Sequence, residues 1–272
     1  MGFNGFFNYE KPGPGIKKDG PKKKMFFVFL ETFFRNFWKL IPVSLLFSLM
    51  SIILIPSGLG YAGITNVTRN LARDKHSFGV SDFFSTIKKN FKQAIPAGII
   101  NLIVSSLLLF SMDFWFKSKG VISIIAFGLT VACFIVFSFM RFHFWLLLIT
   151  FKLPLKNIYK NCFLFSFINI KANLLIVLFN LVSCVLVMLL FAVPNLMIWV
   201  IGGFIMVGIL PGFTHLFAQF MIFPKVKKLM IDPYYEQHPD EDVELRRNLG
   251  LEITEETQTV FDDAAAHKKD DE

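Results

Sequence analysis

From Ala172 to Pro224 the chain carries no Lys, Arg, Asp or Glu. A bilayer core of about 30 Å is crossed by about 20 apolar residues of helix, so this stretch is too long for one crossing and fits two. Pro194-Asn195 at its centre breaks a helix and suits a turn, which divides it into spans near 172–193 and 195–223. Two further apolar runs predict spans near 94–114 and 121–145. A fifth lies near 37–56, with Lys39 at its edge, where the ammonium snorkels to the headgroups. With 54% hydrophobic residues and 35 Phe, the chain holds more apolar surface than one water-soluble core can bury. The fold class expected is all-α: a multi-pass helical membrane protein with five strong transmembrane helices and a sixth, short one near 58–74.

Orientation depends on that sixth segment, which is short and polar. With five spans the termini lie on opposite sides; with six they lie on one side. Lys and Arg beside a membrane stay cytoplasmic. The basic residues group as Arg69, Arg73, Lys75, Lys88, Lys89 and Lys92, then Lys152, Lys156, Lys160 and Lys171, then Lys225, Lys227 and Lys228, with a further set between Lys11 and Arg35. Six spans leave only Lys117 and Lys119 outside, which favours six and puts both termini in the cytoplasm of a cell-membrane protein. Three regions follow. Residues 1–24 read as a basic, Gly/Pro-rich cytoplasmic linker, 25–231 as the membrane domain, and 232–272 as an acidic, largely disordered cytoplasmic tail. From Asp232 onward 14 acidic residues face four basic ones. A basic pI built from scattered juxtamembrane charge, with an acidic tail, argues against nucleic acid as a partner.

A faint internal repeat supports an even number of crossings. Phe34-Arg35-Asn36-Phe37 aligns with Lys88-Lys89-Asn90-Phe91, and Ile41-Pro42 with Ile95-Pro96, at one offset of 54 residues; Tyr159-Lys160-Asn161-Cys162 is a fainter third copy. Each block reads as an interfacial helix followed by a hairpin. Phe83, Ile87 and Phe91 share one helical face, while Lys88, Lys89 and Lys92 occupy another. Lys152, Lys156 and Lys160 form a second basic stripe. Both suit anionic headgroups of membrane lipid, worth about 1 kcal/mol per basic residue near the surface. The alternative is a cytoplasmic partner docked on the same lysines.

Chemistry is sparse. No glycine-rich phosphate loop, Cys-x-x-Cys or His-Glu-x-x-His occurs, and no carboxylates cluster in a span, so the chain does not read as an enzyme and no cofactor or metal is expected. No removable signal peptide is expected, and Cys133, Cys162 and Cys184 read as small buried hydrophobes. The polar residues Asn101, Asn180, His215 and Gln219 lie inside spans and make the best candidate site. His215 and Gln219, one turn apart, follow Pro211-Gly212, which frees backbone groups in the last helix. The competing reading is plain interhelical hydrogen bonding.

Phe37-Trp38-Lys39-Leu40-Ile41, Leu45-Leu46-Phe47, Ile55-Pro56, Val67-Thr68-Arg69 and Asp82-Phe83-Phe84 together resemble the YesL-like bacterial membrane proteins, a family of unknown function. The likeness runs over most of residues 30–230. Where usual members have Thr-x-Gly-Pro, this chain has Ser57-Gly58-Leu59-Gly60. The extensions Phe7–Gly15 and Pro233-Tyr234-Tyr235 resemble those of clostridial-type members. The resemblance implies association with carbohydrate uptake: an accessory subunit contacting an ABC transporter permease or a sensor kinase. The second reading is a small membrane permease with a path through Asn101, Asn180, His215 and Gln219. The family supplies no catalytic or binding residues to carry over.

Overall fold

The computed structural model describes residues 24–233, so the expectations for the linker 1–24 (but for Lys24) and for nearly all of the tail 232–272 lie outside the described residues. Among the described residues all regular structure is helical. The helices are α1 Met25–Arg35, α2 Phe37–Ile52, α3 Ser57–Ala72, α4 Val80–Lys117, α5 Val121–Thr150, α6 Leu155–Ile168, α7 Ile170–Phe191, α8 Leu196–Phe204 and α9 Leu210–Val226, with π-helical turns at Ile205–Ile209 and Lys227–Ile231. Four stretches are long and apolar enough to cross a membrane: Val80–Lys117, Val121–Thr150, Ile170–Phe191 and Leu196–Ile231. Phe37–Ile52 is a shorter apolar helix. The turn at Pro194-Asn195 falls where it was expected: the Asn195 side chain caps α8 by accepting from Met197 N at 2.9 Å, and Trp199 Nε1 donates to Val193 O at 2.7 Å.

The repeat reappears in the burial pattern. Phe29, Thr32, Phe33, Leu40, Val43, Ser44 and Phe47 face the protein along α1–α2, and their counterparts 54 residues later, Phe83, Thr86, Ile87, Ala94, Ala97, Gly98 and Asn101, do so along α4. One hydrogen bond is also repeated: Asn36 Nδ2 donates to Thr32 O and Asn90 Nδ2 to Thr86 O, each at 3.0 Å. The third copy is displaced from Tyr159–Cys162. Asn169, not Asn161, stands where Asn36 stands, at the break between two helices, and the two share φ −109°. Cys162, Ser166, Asn173 and Ile176 are then buried in the places of Phe29, Phe33, Leu40 and Val43. Side-chain identity hid this register because a buried Phe and a buried Ser or Cys fill different volumes at equivalent positions. Each unit pairs a leading helix (α1–α2, α4 or α6–α7) with a returning one (α3, α5 or α8–α9), and the three returning helices pack on one another.

The leading helices differ from the expected surface helices. Residues 81–92 do not form a separate interfacial helix but run without a break into the span as the first part of α4. Phe83 is fully buried against α3 rather than in lipid, and Phe91 is exposed. The apolar face is consumed by protein packing because α3 offers Gly63 there, leaving room for the Phe83 ring. Lys88, Lys89, Lys92, Lys152, Lys156 and Lys160 are all exposed on the outer surface, free to meet headgroups.

The first hairpin is the short one. Its turn meets α4 at Ala94–Gly98, where Gly58 and Gly98 touch backbone to backbone. Beyond Gly98, α4 continues for roughly 28 Å at about 1.5 Å per residue. Residues 57–72 therefore return from a turn well below the level of the α4–α5 turn. In a variant lacking the native cysteines, Ser118→Cys is expected to react from outside the cell with an impermeant thiol reagent, while Ser57→Cys stays protected. Equal labelling of both would make the first hairpin a full crossing.

Candidate functional site

The returning helices each present a pair of side chains one turn apart: Tyr61 and Thr65 from α3, Arg141 and Trp145 from α5, His215 and Gln219 from α9. All six line one cavity of about 340 Å³, which Ser138 and Asn180 also border. Two of the pairs follow a glycine that lets its helix approach a neighbour: Gly58, against α4, precedes Tyr61, and Gly212, against α2, precedes His215. At Gly212 the amide donates to Ser44 Oγ at 2.9 Å. Pro211 has no N–H to give, and the carbonyl of Val207 instead accepts from Ser48 Oγ at 2.8 Å, so the bend in the last span is pinned to α2.

Arg141 sets the electrostatics. Its Nη2 donates to the Tyr61 hydroxyl at 2.9 Å and its guanidinium lies 5.6 Å from the centre of the Tyr61 ring. No carboxylate pairs with it among the described residues. Tyr61 in turn stacks on Trp145, centroids 5.2 Å apart and planes within 7°. His215 donates Nδ1–H to the Pro211 carbonyl at 2.9 Å, the tautomer that leaves Nε2 as an acceptor, and lies edge-on to Phe47. Three of the residues that line the cavity with Arg141 keep a buried polar atom with no protein partner: the Trp145 Nε1 donor and the acceptors Asn180 Oδ1 and Gln219 Oε1. Unsatisfied buried groups cost about 1–3 kcal/mol each, and all three belong to residues that line this one cavity.

Asn180, His215 and Gln219 are thus brought together as expected, and Asn101 is not. Asn101 donates to Ala97 O at 2.9 Å and to the Tyr159 hydroxyl at 3.2 Å. Its Oδ1, also unpartnered, borders a neighbouring cavity of about 180 Å³. Tyr61, Arg141 and Trp145 line both spaces, so the stacked pair and the guanidinium stand between them. Arg141, Tyr61, Thr65 and Trp145 are the residues that sequence reasoning left out of the site. The signal that finds them is the recurrence of a polar or aromatic pair at i, i+4 on each returning helix.

A second cation is used differently. Arg69, 7% exposed, donates to Thr150 Oγ1 at 3.0 Å and Asn66 Oδ1 at 2.7 Å, tying α3 to the end of α5, while Arg73 lies 4.8 Å from the Phe223 ring centre. No group of three His, Cys, Asp or Glu side chains able to hold a metal occurs among the described residues. Of the three cysteines only Cys162 is buried; Cys133 is exposed on the apolar face of α5, where lipid rather than protein surrounds it, and Cys184 is intermediate.

Residues 40–112, which include α3 and most of α2 and α4, match the model of a family described as "Protein of unknown function, DUF624". The match holds Tyr61, Thr65 and Asn101 and stops before Arg141. No curated protein and no solved structure matches the chain.

Proposed function

We propose that the chain is a non-catalytic membrane protein that holds a small polyhydroxylated, acid-bearing solute in the Arg141 cavity, and that it serves a carbohydrate uptake or sugar-sensing system as an accessory subunit. The observation that carries the binding role is one cavity lined by Trp145, Asn180 and Gln219, each with an unpartnered buried polar atom, and by Arg141, which has no carboxylate partner among the described residues. An acid group suits the guanidinium, hydroxyls suit the donor and the two acceptors, and the Tyr61–Trp145 rings offer an apolar face to a sugar ring. The accessory role rests on the resemblance to the YesL-like proteins, with which a match to DUF624 over residues 40–112 is consistent. Two tests follow. The purified full chain is expected to retain labelled glucuronate over glucose, and detergent-solubilised pull-down is expected to recover an ABC transporter permease or a sensor kinase in stoichiometric amount. Recovery of neither partner would remove the accessory role.

A small permease is the second reading. It is favoured by the two cavities that meet at Tyr61, Arg141 and Trp145, since such a stack can divide a path. Flux of glucuronate into liposomes containing this chain alone would establish it; an impermeable liposome with intact binding returns the chain to the accessory role.

A further inference from the structure

A separate cavity of about 340 Å³ lies where the α1–α2 break meets the loop between α3 and α4, lined by Arg35, Asn36, Lys39, Asp74, Lys75 and His76, with Leu71 and Ser77 at its base. Three full positive charges face one carboxylate there, and that carboxylate is already engaged, because Arg35 donates to Asp74. Neither the Lys39 nor the Lys75 ammonium has a carboxylate partner among the described residues. The loop is fixed: Asp82 Oδ2 accepts from Ser77 Oγ at 2.7 Å and from Phe78 N at 3.0 Å, and Gly79 packs on the Lys39 carbonyl. Burial, and after it the neighbouring positive charges of Arg73 and Arg69, push the Lys75 ammonium down to about 8. Beside this basic hollow three aromatic side chains stand out from the protein: Phe34 at 69% exposure, Trp38 at 83% and Phe78 at 73%. Exposed Trp and Phe flanking cations are what the headgroup boundary of a bilayer accommodates, and water does not.

We propose that this cavity binds the phosphate of an anionic membrane-lipid headgroup, held by Lys39 and Lys75 while Phe34, Trp38 and Phe78 lie among the adjoining acyl chains. The site is distinct from the Arg141 cavity and does not depend on the function proposed for it. It also differs from the exposed lysine stripes, since none of Lys88, Lys89, Lys92, Lys152, Lys156 and Lys160 lines this hollow. Because Lys75 must be protonated to hold an anion, retention weakens as pH rises through about 8. The other charged groups around Lys75 are Arg35, Lys39, Asp74 and His76 in the hollow's lining and Arg69 and Arg73 on α3 and at its end.

Native mass spectrometry of the full chain, purified with phosphatidylglycerol or phosphatidylcholine, tests the assignment. The wild type is expected to keep one phosphatidylglycerol in preference to phosphatidylcholine, and K39Q/K75Q to hold it about 10- to 30-fold more weakly, the loss expected for two juxtamembrane cations. K88Q/K89Q is expected to stay within about threefold of wild type, because neither lysine lines the hollow and the pull of a surface charge fades within a Debye length. Lys39 is exposed and makes no fold contact through its ammonium, so K39Q alone carries the reading if the double variant unfolds. An equal loss in K88Q/K89Q would reduce the effect to diffuse charge and overturn the site. Equal retention of phosphatidylcholine, or binding of inorganic phosphate alone with the same dependence on Lys39 and Lys75, would overturn the lipid assignment. So would a carbodiimide cross-link in the full chain from Lys39 or Lys75 to a carboxylate of residues 233–272, which would give the hollow to the acidic tail.

Discussion

Replacing Gly58 by Ala is expected to lower the stability of the purified protein by about 3 kcal/mol, the upper end of the range for overpacking a tight contact. A Cβ at this position would stand 2.1 Å from the Ala94 carbonyl oxygen and 2.8 Å from the Gly98 Cα. Both obstacles are backbone, so no rotamer change relieves them, and α3 must move off α4. That displacement also withdraws Tyr61, less than one turn along α3, from Trp145, so the substitution disturbs the cavity as well as the fold. Gly128→Ala is the control. Nothing lies within 4 Å of a Cβ there, and in the middle of α5 the change is expected to stabilise by about 0.5–1 kcal/mol through helix propensity. Thermal unfolding in one detergent compares the two. A Gly58→Ala protein that melts with or above the wild type would show that the α3–α4 contact is looser than described.

Arg141→Met is expected to behave in the opposite way, losing function and keeping the fold. The guanidinium bonds only the Tyr61 hydroxyl and has no carboxylate to leave stranded among the described residues, so a flexible apolar side chain of similar length removes one charge without uncovering another. The melting temperature should hold or rise. Retention of glucuronate should fall by about 10- to 100-fold, since a hydrogen bond to a charged group is worth about 1.5–3 kcal/mol. Arg69→Met supplies the contrast. That arginine bridges α3 to α5 through Thr150, with Asn66 of its own helix holding the guanidinium, and its loss should lower stability while leaving the cavity chemistry in place. A parallel fall of stability and binding in Arg141→Met would make this arginine a structural tie like Arg69.

Much of the helical organisation was legible because it follows from one-dimensional quantities. The charge-free runs mark α5, α7 and the last span directly, and Pro194-Asn195 marks the turn between two of them. What escaped reading required knowing which face of a helix meets protein. Phe83 and Phe91 are indistinguishable as residues on one stripe, yet one is sealed against Gly63 and the other is exposed. The third repeat was misplaced by eight residues because Asn161 carries the local likeness in its neighbours, whereas Asn169 carries the likeness in its place at a helix break. Asn180, His215 and Gln219 were visible as polar residues in apolar surroundings. Arg141 falls near the end of an apolar run, where a basic residue ordinarily snorkels; only the packing of α3 against α5 shows it turned inward to Tyr61. Trp145 gave no signal, since an aromatic residue in a span is ordinary until its Nε1 is found buried without an acceptor.

The binding role requires that small solutes reach the cavity beside Arg141 and Asn180. It is tested most directly by thiol accessibility along α7 in membranes, with single cysteines introduced into a variant that lacks Cys133, Cys162 and Cys184. Asn180→Cys borders the cavity, whereas Leu178 and Leu181, 57% exposed on the outer face, look onto lipid. A small charged methanethiosulfonate reagent is expected to modify Asn180→Cys readily and Leu178→Cys and Leu181→Cys at least tenfold more slowly, a difference of about 1.4 kcal/mol or more in effective access. Uniformly slow reaction at all three positions would mean that the space around Arg141 is closed to water and solutes, and would contradict the binding role built on it.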